Sequence, residues 1–156
     1  MKSVHIIGGG LSGCEAALQL ADRGLKVRLV EMRPAETTGA HRGGDLAEIV
    51  CTNSLKSTLI QTASGLLKKE LELLGCRLLE HAREAAVPAG HALAVDRDVF
   101  ARTVTSAIEN HQNIDVIRRR RRSWLQYCAP GNRDVVGELE RLNAAGRMGH
   151  APTPSC

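Results

Sequence analysis

The chain has 156 residues, the size of one ordinary domain. Hydrophobic residues make up 43% and charged residues 24%, which excludes a mainly disordered, collagenous or membrane-spanning chain. The net charge of +4 is unevenly placed: residues 1–117 carry 13 Lys/Arg against 14 Asp/Glu, whereas residues 118–156 carry 8 against 3. The body therefore gives no charge-based reason to expect nucleic acid. Aromatic residues are only Phe100, Trp124 and Tyr127, too few for a platform of stacked bases.

In chain order, Val4-His5-Ile6-Ile7 is a short, mostly β-branched run stopped by Gly8, the pattern of a buried strand. Apolar positions between Gly13 and Ala21 predict a helix lying on a sheet, with Gly24 as its C-cap. Val27, Leu29 and Val30 predict a second strand ending at Glu31. Strand–helix–strand with tight turns opens a parallel α/β sheet. Residues 33–54 read as a long loop. Leu66, Leu67, Leu71, Leu74, Leu78 and Leu79 recur at helical spacing and predict two core helices broken near Gly75. Asp96 is a good N-cap for a helix in which Phe100, Val104, Ala107 and Ile108 share a face. Ile114, Val116 and Ile117 predict a third strand.

No apolar run approaches the roughly 18 residues of a membrane span, and three glycines follow Ile7 before a signal-peptide core could form. A cytoplasmic protein without membrane contact is expected. Cys14, Cys51, Cys76, Cys128 and Cys156 are odd in number and widely spaced, so neither a disulfide framework nor a zinc site is expected. The histidines are equally dispersed, and no metal is predicted. Cys14 and Cys76 read as packing residues.

Gly8-Gly9-Gly10-Leu11-Ser12-Gly13 satisfies G-x-G-x-x-G between a predicted strand and a predicted helix, the context that pattern requires. Gly8 permits the tight turn, Gly10 lets a pyrophosphate approach the backbone, and Gly13 allows close helix–strand packing. The helix N-terminus adds unpaired N–H groups and a positive dipole end. Glu31, ending the second strand, is placed to accept hydrogen bonds from a ribose diol. These residues predict an adenosine–diphosphate site and leave FAD and NAD both open.

Three segments carry a family resemblance. Val4 to Ala17 with Val27 to Pro34, then Cys51-Thr52-Asn53-Ser54-Leu55-Lys56-Ser57, then Val87 to Arg97 resemble the methylenetetrahydrofolate- and FAD-dependent tRNA (uracil-5-)-methyltransferase family. The last two segments are its more specific signatures, and the match is traced through about residue 117. The resemblance implies a Rossmann-like FAD/NAD(P)-binding fold, FAD as cofactor, methylenetetrahydrofolate and NAD(P)H as co-substrates, and a T-loop uridine of tRNA as the group methylated at C5. It carries FAD binding to Gly8, Gly9, Gly10, Leu11, Ser12, Gly13 and Glu31. It also makes Cys51 the N-terminal functional cysteine, acting as nucleophile or as base; a thiolate suits either step.

Family members run to several hundred residues. The expectation is thus an incomplete Rossmann-like domain over 1–117, inactive by itself. The basic tail over 118–156 is expected to be irregular and without family match, disordered or read from a shifted frame. Arg118 to Arg122 read as a solvated charge block, with salt-dependent contact to tRNA phosphates as the functional alternative. Two further readings stand beside the leading one: a small FAD- or NAD-dependent oxidoreductase, and a non-catalytic nucleotide- or RNA-binding remnant.

Overall fold

A computed structural model describes residues 3–36 and 39–119, and the readings placed on 120–156 lie outside the described residues. Strand β1 (Ser3–Ile7) leads through the glycine turn into helix α1 (Leu11–Asp22) and returns as strand β2 (Lys26–Glu31). The predicted third strand forms as well. Numbering continues with β3 (Ser54–Ser57), α2 (Ala63–Leu73), α3 (Arg77–Glu84), β4 (Ala86–Val87), β5 (Ala92–Val95), α4 (Arg97–Glu109) and β6 (Ile114–Arg118).

Two small sheets result. β1, β2 and β6 are parallel in the order β1-β2-β6, with Val4 opposite Val27 and Leu29 opposite Val116. β2 is the central strand and is buried at Val27, Leu29, Val30 and Glu31, as a strand covered on both faces should be. The second sheet is antiparallel, in the order β3-β5-β4. No alternation announces it: Ser54–Ser57 is polar, and Lys56 adopts a positive φ of 70° where the β3–β5 register shifts.

Helix boundaries follow local chemistry. α1 ends where Gly24 N donates to Ala21 O and Leu25 N to Leu20 O, the paired bonds of a glycine C-cap. α2 stops at the expected break beside Gly75. Asp96 caps α4, its carboxylate accepting from Asp98 N and Val99 N at 3.0 Å each.

The core joins Cys14, Ala17, Leu18 and Ala21 of α1 to Val27 and Leu29 of β2, Leu79 and Ala82 of α3, Val95 of β5, and Phe100, Val104 and Ile108 of α4. Leu46 and Ala47, from the long loop, are fully buried within it. The leucine expectation needs correction. Leu79 is buried and Leu71 and Leu78 pack half-buried against the core, but Leu66 and Leu67 on α2 and Leu74 at its C-cap lie exposed. α2 fully buries only Gly65 and Lys68, so for half of these leucines helical periodicity marked a face that the described residues do not cover.

Among the described residues no helix is long and apolar enough to cross a membrane, and no cluster of His, Cys, Asp or Glu is arranged to hold a metal ion.

Candidate functional site

The turn after β1 shows why each glycine is there. Gly8 has φ +102°, a conformation side chains rarely adopt. A Cβ on Gly13 would overlap the Gly8 carbonyl oxygen, so α1 can start this close to β1 only without one. A Cβ on Gly9 would collide with Leu46 and stand 2.8 Å from Glu31 Oε2. Gly10 differs from all three. Its φ is −77°, open to any residue, and a Cβ there would meet no atom of the described residues within 4 Å. Among the described residues nothing requires a glycine at this position, and the space above it is open.

That space lies at the N-terminus of α1. Gly10 is the N-cap residue, no side chain caps the helix, and its first turn carries no acidic residue. Gly10, Leu11 and Ser12 are exposed. The helix start is therefore an open, positively polarised mouth of the kind that receives phosphate oxygens.

Glu31 sits at the end of β2, beside this mouth, but its carboxylate turns inward. Oε2 accepts from Gly9 N at 2.5 Å, and Oε1 accepts from Arg33 N at 3.0 Å and Arg33 Nε at 2.9 Å. Burial acts to raise its pKa, yet the hydrogen bonds from Arg33 and Gly9 outweigh this and hold it below the usual carboxylate range. Oε2 keeps one acceptor position. Glu31 thus fixes the glycine turn from within.

Arg33 was not foreseen as a site residue. It is 2% exposed and bridges Glu31 to Glu48, with Nη1 3.0 Å from Glu48 Oε2 and Nη2 3.4 Å from Gly9 O. Glu48 also accepts from Arg42 N at 2.8 Å and Gly43 N at 3.4 Å. Burial raises its pKa, but these N–H groups and the Arg33 and His41 charges bring it below the usual value. The signal available in the sequence was the spacing Glu31-x-Arg33, a base two residues after the acid. The fifteen-residue reach to Glu48 was not legible.

The expected functional cysteine lies in a neighbouring cleft. Cys51 is exposed and lines a space of about 690 Å³ with Arg42, Glu48, Asn53, Asp96 and Arg97. The cleft is built where the two specific segments meet: Asn53 O accepts from Val95 N at 2.9 Å, and Ser54 pairs with Ala94 across β3 and β5. Cys14 is the opposite kind of thiol. It is fully buried, bonds to Gly9 O, and is pushed by burial to a pKa of about 12, so it stays protonated and packs.

Arg118, first of the arginine run, is not a free solvated charge. Nη1 donates to Arg33 O at 3.2 Å and to Gly44 O, and Nη2 pairs with Glu109 at 2.9 Å.

Comparison with known proteins adds three findings. The family model described as glucose inhibited division protein A matches residues 3–128. A methylenetetrahydrofolate–tRNA-(uracil-5-)-methyltransferase TrmFO from Syntrophomonas wolfei is 55% identical over 118 residues, 76% of this chain and 27% of that protein. The TrmFO of Solibacter usitatus is 49% identical over 154 residues, 94% of this chain and 35% of its own length. Similarity thus continues past residue 117, where the motifs alone placed its end. The chain spans about a quarter to a third of the length of these relatives. Among solved structures, Aquifex aeolicus GidA in its form II crystal superposes with a TM-score of 0.58 at 18% identity, over 74% of this chain and 19% of that one. This likeness establishes a Rossmann-like fold.

Proposed function

Because the chain belongs to the glucose inhibited division protein A family, we propose that its described part is the dinucleotide-holding portion of a flavoenzyme of the TrmFO type. Such an enzyme would methylate C5 of a tRNA uridine, with FAD as cofactor and methylenetetrahydrofolate and NAD(P)H as co-substrates. One observation supports the dinucleotide reading most directly. Gly10 is a glycine that neither its backbone angles nor its neighbours require, and it faces open space at an uncapped helix N-terminus.

The residues present fit FAD. The N–H groups of Leu11, Ser12 and Gly13 would receive the diphosphate, and Gly10 would let it approach. Glu31, fixed by Gly9 and Arg33, would offer Oε2 to a ribose hydroxyl. When bound, FAD supplies the redox chemistry that turns a methylene unit into a methyl group. Cys51 supplies what a thiol can: addition to uracil C6, which makes C5 nucleophilic, or removal of the C5 proton. Its exposure in an open cleft allows either role. The chain covers 27–35% of the length of these relatives, so methylation is proposed of the whole enzyme and FAD binding is the property to be tested on this chain.

The test is reconstitution of the purified chain with FAD, followed by gel filtration and a visible spectrum. A flavin band that travels with the protein and is released by denaturant is expected. Failure of both FAD and ADP to bind at millimolar concentration would overturn the reading.

A further inference from the structure

Gly9, in the turn that leads to the phosphate mouth, is bonded to the loop that runs on to the cysteine cleft. Its N–H donates to Glu31, and its carbonyl accepts from Ala47 N at 2.8 Å and from Arg33 Nη2 at 3.4 Å. From there the Arg33 guanidinium reaches Glu48, whose carboxylate also gathers the N–H groups of Arg42 and Gly43. Leu46 N, on the same stretch, donates to the buried hydroxyl of Thr105 on α4 at 2.8 Å. Glu48 and Cys51 line one cleft. A guanidinium buried among two carboxylates and a carbonyl satisfies its donors through these partners, so a shift of any one of them is felt by the others.

We propose that Arg33 and Glu48 are positioning residues through which occupancy of the Gly8–Gly13 turn stiffens the segment carrying Cys51. The inference rests on the dinucleotide reading of the mouth. A ligand changes a distant group only through contacts it makes differently in two states. Here those contacts would fall on the N–H groups of Leu11, Ser12 and Gly13 above Gly10, and Gly9, the residue before Gly10, is bonded on both sides to the network: N–H to Glu31, carbonyl to Ala47 and Arg33. A diphosphate that fixes the turn therefore restrains residues 46–48, and through them the nearby thiol.

ADP separates this effect from simple blocking, because it fills the mouth without a flavin ring to enter the cleft. The experiment measures the rate of Cys51 alkylation by iodoacetamide in the 156-residue chain, by peptide mass spectrometry. It is run with and without ADP at a concentration shown by calorimetry to saturate each protein. In the unaltered chain ADP slows alkylation by at least about fivefold, the scale of ordinary coupling between sites. In Glu48→Gln, saturated with ADP, the rate no longer responds. An unaltered chain whose rate ignores bound ADP, or a Glu48→Gln chain that keeps the full response, overturns the proposal. If Glu48→Gln does not fold, Arg33→Lys replaces it: the charge stays, the fork is lost, and a retained response again overturns the idea. Absence of ADP binding to the unaltered chain is a different result, for it removes the dinucleotide reading and this inference together.

Discussion

Glu15, on α1, caps a helix more than sixty residues away: its carboxylate accepts from Leu78 N at 2.8 Å and Arg77 N at 3.0 Å at the start of α3. Cys76, the N-cap residue of α3, makes no side-chain cap bond, so Glu15 does that work from across the core. Glu15→Ala is expected to lower stability by about 1–2 kcal/mol in urea melts at pH 7. Burial raises the Glu15 pKa, but the N–H bonds from Leu78 and Arg77 and the Gln19 amide outweigh it and leave it lowered. A carboxylate depressed in the folded state contributes fully above its unfolded value of about 4.3 and loses that contribution as pH falls through the folded one. The gap between the two proteins should therefore close in acid. A gap that widens below pH 4 would contradict the capping role.

Gly10 and Gly13 should answer the same substitution in opposite ways. Gly10→Ala meets no atom of the described residues and suits its backbone, and the entropic gain offsets the poorer N-cap, so stability is expected to change by no more than about 1 kcal/mol while FAD and ADP binding falls sharply. Gly13→Ala drives a methyl into the Gly8 carbonyl and is expected to destabilise the fold itself. Thermal melts paired with ADP calorimetry distinguish them. Undiminished ADP binding by Gly10→Ala would count against a phosphate at that position.

Arg33→Met would leave two buried or half-buried carboxylates facing one another beneath the turn. Removing one partner of a buried pair costs about 3–5 kcal/mol. The loss should be largest near neutral pH. Because Glu31 and Glu48 are both held below the usual range by these contacts, the stability they lend is present above the unfolded pKa and disappears in acid. Equal melting of Arg33→Met and the parent at pH 7 would show the pairing to be energetically idle.

The exposed face of α2 predicts tolerance where periodicity predicted a core. Leu67→Gln is expected to change stability by no more than about 0.5 kcal/mol. Phe100→Ala, at 1% exposure in the first turn of α4, should cost about 3–5 kcal/mol. Denaturant midpoints for the two variants check this directly; comparable losses would mean that α2 is covered in solution.

What the sequence made legible was local. The strand before Gly8, the glycine spacing, the acid ending β2 and the Asp96 cap each rest on contacts within a few residues, and each is present in the structure. The helix break at Gly75 belongs with them. Leu66, Leu67 and Leu74 misled because a 3.6-residue period reports that one face is apolar, not that anything covers it. β3 and β5 were missed because their pairing is long-range and Ser54–Ser57 carries no alternation to reveal it. At the candidate site the glycines were readable one by one. The inward turn of Glu31 was not, because it depends on Arg33, and Arg33 on Glu48, whose place beneath the turn only the folded loop decides.

β6 reaches β2 only after the intervening 32–113, which contain the whole antiparallel sheet and three helices, whereas β1 meets β2 through a single short crossover. Closing the longer loop is the slower event, since its entropy is lost before the strand contacts return anything. The β1–α1–β2 unit should therefore acquire hydrogen-exchange protection before β6 does during refolding. Pulse labelling that found β6 amides protected first would reverse that order of assembly.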